Sequence, residues 1–489
     1  MRFALATLVC TLILGPAVCS AQPDYQRHAA PVSPAPVDPA IARALKTIQP
    51  AHIEQTIKTL VGFGTRNTMT SMETNLPPGK GINAAADWIY GQFEAISRQC
   101  GGCLEVKRDV FIADPASGEP WARRILKPTK LTNIYAILRG SDPAEAGRMV
   151  LVTGHYDSMN SRAFKNWADT SGAAPGANDD GSGTAVSIEC ARALSKLKLP
   201  STVVFVAVAG EEEGLVGSEH LARLARSQGW ELEAVLNNDI VGGNTTPGDR
   251  LQLKDRVRVF SAGIPLTATP QQVRQIRALG LENDSASREL AREIYGVAET
   301  YFPQAGPKRF EAFLVDRPDR YHRGGDHLSF NREGFAAARF TEWREDFNHQ
   351  HQDVVFPPPG SHEPIKGDLP QFVDYNYVAH VARLNAATLA TLASAPGRPL
   401  HLTLENKAVE NSSTLTWDPP AGAPAGTHYE VVWRVTTAPE WQYMKRVNGD
   451  GPGKTVTVTL PISKDNVYFG VRAVDAKGHR GLVVVPGAE

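Results

Sequence analysis

This 489-residue chain is marked by shortages, and each one excludes something. It has no excess charge of either sign: 51 Lys and Arg against 52 Asp and Glu leave a formal net charge of −1. There is no basic stripe for nucleic-acid phosphates and no acidic tail, so a nucleic-acid partner is not expected. Cysteine is scarce, at five residues, too few for a disulfide framework or for the paired motifs of zinc ribbons. Long apolar runs are confined to residues 3–18, so no later segment is suited to span a bilayer. That run follows Arg2, contains Pro16 and ends in Cys19-Ser20-Ala21, which reads as a secretory signal peptide over 1–21. The mature chain is expected to be exported, secreted or periplasmic, with no membrane span, and monomeric.

Cleavage after Ala21 removes Cys10 and Cys19 and leaves Cys100, Cys103 and Cys190. In an oxidising compartment, Cys100-Gly101-Gly102-Cys103 reads as a small structural disulfide closing a turn. A redox site would need a thioredoxin-like context, and a zinc knuckle would need a second pair. Cys190 lies on an apolar helical pattern and reads as a buried free thiol.

The chain is too long for one hydrophobic core, and its texture divides it. Residues 22–40 are rich in Ala and Pro and read as a flexible or polyproline-like leader. From 41 to 393, apolar strand-like runs alternate with helical patterns. These patterns cover 41–61, 85–96, 184–197, 218–228 and 372–392, and they predict an α/β domain with helices on both faces of a mixed, mostly parallel sheet. Residues 262–326 are mixed and polar, as expected of an insertion over the carboxyl ends of the strands. A Pro/Gly linker at 394–400 precedes short alternating strands over 401–489, which predict a small all-β sandwich. Its Trp417, Tyr429 and Val471-Arg472-Ala473-Val474 resemble a fibronectin type III module.

Four short polar clusters each read as following an apolar run that forms a buried strand. They are Gly154-His155-Tyr156-Asp157-Ser158, Ala177-Asn178-Asp179-Asp180-Gly181, Gly210-Glu211-Glu212-Glu213-Gly214 and Asn238-Asp239-Ile240. An α/β sheet gathers functional groups at the carboxyl ends of its strands, so carboxylates and an imidazole distant in sequence converge there. Divalent metals need such oxygen and nitrogen ligands. Asp157, two residues beyond His155, lies on the same face of the strand and can orient that ring. Asp179 in a tight turn can bridge two metals, whereas Asp180 suits a helix cap. Of the adjacent Glu211 and Glu212, one can bind metal while the other accepts a proton. Glu213 reads equally well as part of a solvated turn. A further imidazole is needed, and His327, His349 and His351 are the candidates.

Together and in this order, the clusters resemble the M28 family of zinc peptidases, the co-catalytic two-zinc aminopeptidases, over roughly residues 45–392. The resemblance implies two Zn2+ ions, with His155 and Asp239 on one, Glu212 and a late histidine on the other, and Asp179 bridging. It makes Glu211 the general base and Asp157 the orienter. The family's late histidine is followed four residues later by aspartate, which selects His349 with Asp353 over His351. Asp326-His327 matches an earlier pair near the site that does not ligate zinc. Where some relatives carry a tyrosine before the late ligand, this chain has Asn348, and Tyr321 is the substitute expected to stabilise the oxyanion. The implied activity is aminopeptidase cleavage of peptide substrates. A glutaminyl cyclase would use one zinc, and keeping both His155 and Asp239 favours two. A carboxypeptidase would need a cationic pocket, for which Arg317, Arg320 and Arg323 are available. A non-catalytic binding protein on the same fold would lack ligands, and none is missing.

Overall fold

Eight runs form one mixed sheet: β1 (Leu104–Ala113), β2 (Thr129–Leu138), β3 (Arg148–His155), β4 (Thr202–Val208), β5 (Glu231–Asn238), β6 (Arg256–Ser261), β7 (Glu311–Val315) and β8 (Ala337–Thr341). These elements come from a computed structural model that describes residues 22–488 except 28, 304–308, 408, 450 and 452. The expected signal peptide lies outside the described residues. The spatial order is β1-β2-β4-β3-β5-β8-β6-β7. The central strands β4, β3, β5 and β8 run parallel, so their carboxyl ends share one edge. From β3 the chain passes first to β4 on one side and then to β5 on the other. This is the change of direction at which an α/β sheet opens a crevice.

The helices of twelve residues or more are α1 (Pro50–Gly62), α2 (Gly81–Gln99), α3 (Gly181–Leu194), α4 (Val216–Ser227), α5 (Ala286–Tyr301) and α6 (Tyr375–Ser394). Alternate strand residues face opposite sides. Val150, Val152, Val203 and Phe205 join the core beneath α1, α2, α3, α5 and α6. Leu151, Val204, Val206 and Val235 pack under α4. The three-layer α/β/α architecture predicted from the sequence is present. Among the described residues no helix is long and apolar enough to cross a membrane.

Three expectations need correction. The helical pattern at 41–61 is two helices, Pro39–Leu45 and α1, because Pro50 has no amide to continue a helix but suits the start of one. The 262–326 segment does not simply cover the strand ends. It contains β7 and α5, and α5 packs on the sheet face through Leu290, Ala291, Ile294, Val297 and Ala298 at helical spacing. The leader is not free either: Ala30–Pro31 pairs antiparallel with Tyr443–Asn448, and Trp433 Nε1 donates to the Tyr25 carbonyl at 2.9 Å.

Beyond residue 400 the chain forms two antiparallel sheets around Leu415, Trp417, Tyr429, Trp433 and Phe469, a β domain as expected. It is fastened to the α/β domain through buried charges. Arg434 Nη2 and Arg292 Nη1 both reach Asp284 Oδ1, at 2.6 and 3.0 Å, and Trp441 Nε1 donates to Glu289 Oε2 at 2.8 Å. The Cys100–Cys103 disulfide is formed, and Cys190 is buried and free.

Candidate metal centre

The carboxyl-end crevice collects all four polar clusters. His155 ends β3, with Asp157 just beyond it. Glu211 and Glu212 lie in the turn between β4 and α4, and Asp239 directly follows β5. Asp179 sits in the turn before α3, whose first turn approaches the strands closely. A Cβ on Gly154 would lie 2.4 Å from the Gly183 carbonyl carbon, so only glycine permits the approach. Asp180 caps α3 by accepting from Gly183 N at 2.8 Å, and its other oxygen accepts from His155 N at 3.0 Å. Its assignment to structure holds.

Two triads emerge. His155 Nε2 is 3.1 Å from Asp179 Oδ1 and 3.9 Å from Asp239 Oδ1. His351 Nε2 is 2.9 Å from both Asp179 Oδ2 and Glu212 Oε2. Asp179 therefore offers one oxygen to each group, the arrangement of a bridging carboxylate. Tetrahedral zinc with ligand bonds of about 2.0–2.1 Å holds its ligand atoms about 3.3 Å apart, and the observed separations bracket that value. His351 Nε2 is buried and makes no hydrogen bond despite its two close carboxylates, and Glu212 Oε1 is likewise unpartnered. A lone pair aimed between oxygens is suited to a cation, so the residues fit zinc.

The imidazole that meets Asp179 and Glu212 is His351, not His349. His351 adopts a left-handed backbone (φ 52°), which turns its ring toward Asp179 and Glu212. His349 points the other way, stacked on Phe372 with ring centroids 3.5 Å apart and with Nδ1 3.1 Å from Thr246 Oγ1. Asp353, which favoured His349 by spacing, instead pairs with Arg162 at 3.3 Å. Tyr321 is also misplaced as an oxyanion group. It is 75% exposed beneath the Arg317 guanidinium, while its neighbours Arg320, His322 and Arg323 line the cleft. Glu213 is buried, not solvated, and burial pushes its carboxyl up to about 8.

Asp157 lies behind the ring, with Oδ1 3.5 Å from His155 Nδ1, too long for a hydrogen bond, and its Oδ2 accepts from Glu212 N at 3.1 Å. One carboxylate thus touches a residue of each triad. Half-buried Glu211 belongs to neither triad and lines the cleft. Enclosure by protein drives its carboxyl well above the usual range; nearby His155 opposes this, and Asp239, Asp326 and Glu212 reinforce it. The cleft above is about 950 Å³, with Phe164, Trp167, Leu215, Ile240 and Phe347 among its apolar walls.

Several supporting residues escaped the sequence reading. Asp368 receives Asp179 N at 2.7 Å and Asn178 N at 2.8 Å, holding the bridging turn. Buried Arg66 donates to the carbonyls of Tyr156, Pro175 and Gly176, tying two clusters together. Arg339, in the middle of β8, reaches Asp239 Oδ2 at 3.0 Å. An arginine inside the apolar run 335–340 was the one available signal.

Comparison with known proteins places this geometry. Residues 133–359 match the model of peptidase family M28. Relatives agree over nearly the whole chain. A probable zinc metalloprotease of Pyricularia oryzae is 41% identical over 92% of this chain and 84% of its own length. Another, from Leptosphaeria maculans, is 38% identical over 93% of this chain and 98% of its own. The chain belongs to peptidase family M28 and is a zinc-dependent peptide hydrolase. Similar solved structures include the Legionella pneumophila LapA aminopeptidase, 18% identical over 74% of this chain and 77% of that one, TM-score 0.48. A Bacteroides thetaiotaomicron glutaminyl cyclase is 16% identical over 70% and 98%, TM-score 0.43.

Proposed function

We propose that the protein is an exported aminopeptidase that removes N-terminal residues from peptides using two zinc ions. The observation that carries this reading is Asp179, whose two oxygens face two separate ligand sets, His155 with Asp239 and His351 with Glu212. A one-metal enzyme would not need both. Zinc held there supplies Lewis acidity to activate water and polarise the scissile carbonyl. Glu211, free of the ligand sets, accepts a proton from the attacking water. It returns that proton to the amine as the C–N bond breaks. Asp157 receives the Glu212 backbone amide and places its other oxygen 3.5 Å behind the His155 ring, so one carboxylate stands beside both ligand sets.

A carboxypeptidase would require free cations for a terminal carboxylate. Arg320 and Arg323 are both engaged by Glu345, at 2.9 and 2.6 Å, and Arg317 faces Tyr321, which weighs against that use. Export is supported by the N-terminal pattern and fits the formed Cys100–Cys103 disulfide.

The test combines zinc analysis with hydrolysis of aminoacyl chromogenic amides. The expected result is two zinc ions per chain and cleavage of free-amine substrates. Glu211→Gln should keep the zinc and lower kcat by roughly 10²–10⁴-fold. Activity confined to N-blocked peptides would defeat the aminopeptidase reading.

A further inference from the structure

The two ligand sets are not equivalent, and the difference lies in a buried arginine outside both. Arg339 extends from β8, which is hydrogen-bonded to β5, and its side chain is fully buried. Its Nη2 lies 3.0 Å from Asp239 Oδ2 and donates to the Asp239 backbone carbonyl at 3.3 Å. Its Nη1 donates to the Gly324 carbonyl at 2.7 Å and pairs with Asp319 Oδ2 at 3.2 Å. Asp239 Oδ2 is thereby taken up, and only Oδ1 is left facing His155. Among the described residues no arginine pairs with the Glu212 carboxylate: Arg124 Nη1 donates only to its backbone carbonyl, at 3.3 Å, and Oε1 is unpartnered. The residues on the far side of the guanidinium belong to the 317–324 turn, which carries Arg320, His322 and Arg323 into the cleft wall.

We propose that Arg339 is a positioning residue. It fixes Asp239 as a one-oxygen ligand of the His155 metal position and ties that ligand to the turn forming the cleft wall. A rigid fork of donors is needed for this, since two nitrogens must serve partners on opposite sides at once. Lysine offers a single nitrogen and cannot span them. The space is also specified: a Cβ at Gly325 would come within 2.5 Å of Arg339 Nη1. Gly325→Ala therefore displaces the guanidinium while leaving its charge in place. Gly325 does not adopt a left-handed backbone, so the substitution adds a methyl group without backbone strain.

The inference rests on the two-metal reading. In the full chain, zinc per molecule is measured by mass spectrometry across graded concentrations of a chelator. Wild type should lose zinc in two steps, and Glu212→Gln marks which step belongs to the His351 position. Arg339→Met, Arg339→Lys and Gly325→Ala should each weaken the other step by about 10–100-fold, the usual cost of removing an outer partner of a metal ligand. The His351 step should stay where it is. KM for a chromogenic amide should shift along with kcat, because the cleft-wall turn loses its tie.

Folding is checked by far-UV circular dichroism and thermal melting. If Arg339→Met does not fold, Gly325→Ala decides. An unchanged two-step profile in any folded variant overturns the proposal, as does equal weakening of both steps. Failure of the two-metal reading is separately visible, since wild type itself would then bind fewer than two zinc ions.

Discussion

Replacing His351 or His349 by alanine separates metal binding from packing within three residues of chain. His351 contributes one nitrogen, 2.9 Å from Asp179 Oδ2 and from Glu212 Oε2, and makes no hydrogen bond. His351→Ala should therefore remove one zinc and reduce kcat by at least about 10²-fold, the scale of losing one electrostatic stabiliser of a transition state. His349 contributes a buried ring stacked on Phe372 and a polar contact to Thr246. Stacking contributes about 0.5–1.5 kcal/mol beyond area burial, and one hydrogen bond about 1 kcal/mol. The space left by truncation adds to this, so His349→Ala should cost about 2–4 kcal/mol of stability. It should leave two zinc ions per chain. The assay pairs zinc stoichiometry with thermal melting at increasing free zinc. Zinc that binds the folded state should raise the wild-type midpoint, and His351→Ala should show a smaller rise than His349→Ala. If His349→Ala loses the zinc and His351→Ala keeps it, the ligand assignment is wrong.

Other outcomes follow from the contact between the two domains. Asp284→Ala would leave Arg292 and Arg434 buried without their shared carboxylate and should cost about 3–5 kcal/mol, seen as an earlier melting transition with zinc content unchanged. Glu293 lies at the same contact, and burial pushes its carboxyl up from 4.5 to about 7, with Arg472 opposing. The folded state holds that proton more tightly than the unfolded chain does. Its contribution is thus fully present below about pH 4.5 and is lost as pH rises through 7. The wild type should gain stability relative to Glu293→Gln as pH falls from 8 to 5, and a difference that stays flat would refute this. Reducing the Cys100–Cys103 disulfide, which closes a loop with a sequence separation of 3, should cost no more than about 2 kcal/mol and leave hydrolysis intact.

The sequence by itself determined the central strands and most of the residues that meet in the two triads. Val203–Val208 is apolar throughout and can only be a buried strand or part of a buried helix, and glutamates at its end fall at the carboxyl edge of a parallel sheet. His155, Glu212 and Asp239 follow from the same local rule, that a strand end delivers the next residues to the crevice, whereas Asp179 comes from the turn that opens α3. Asp180 was legible for a similar reason, because a cap is set by its neighbours in the chain.

What only the tertiary structure decided lies where the chain has no period. His349 and His351 sit in a stretch without helix or strand, and both can be buried. The left-handed turn at His351 and the presence of Phe372 beside His349 chose between them. Tyr321 was lost as a candidate for the same reason, since its turn faces Arg317 and solvent. The leader and the helix at 286–301 found their partners in segments well over a hundred residues away, which no local pattern records. Arg339 was visible as an anomaly in an apolar strand, but its target could be known only once β8 lay beside β5. Local chemistry fixes which residues can bind metal, and packing between distant segments fixes which of them meet.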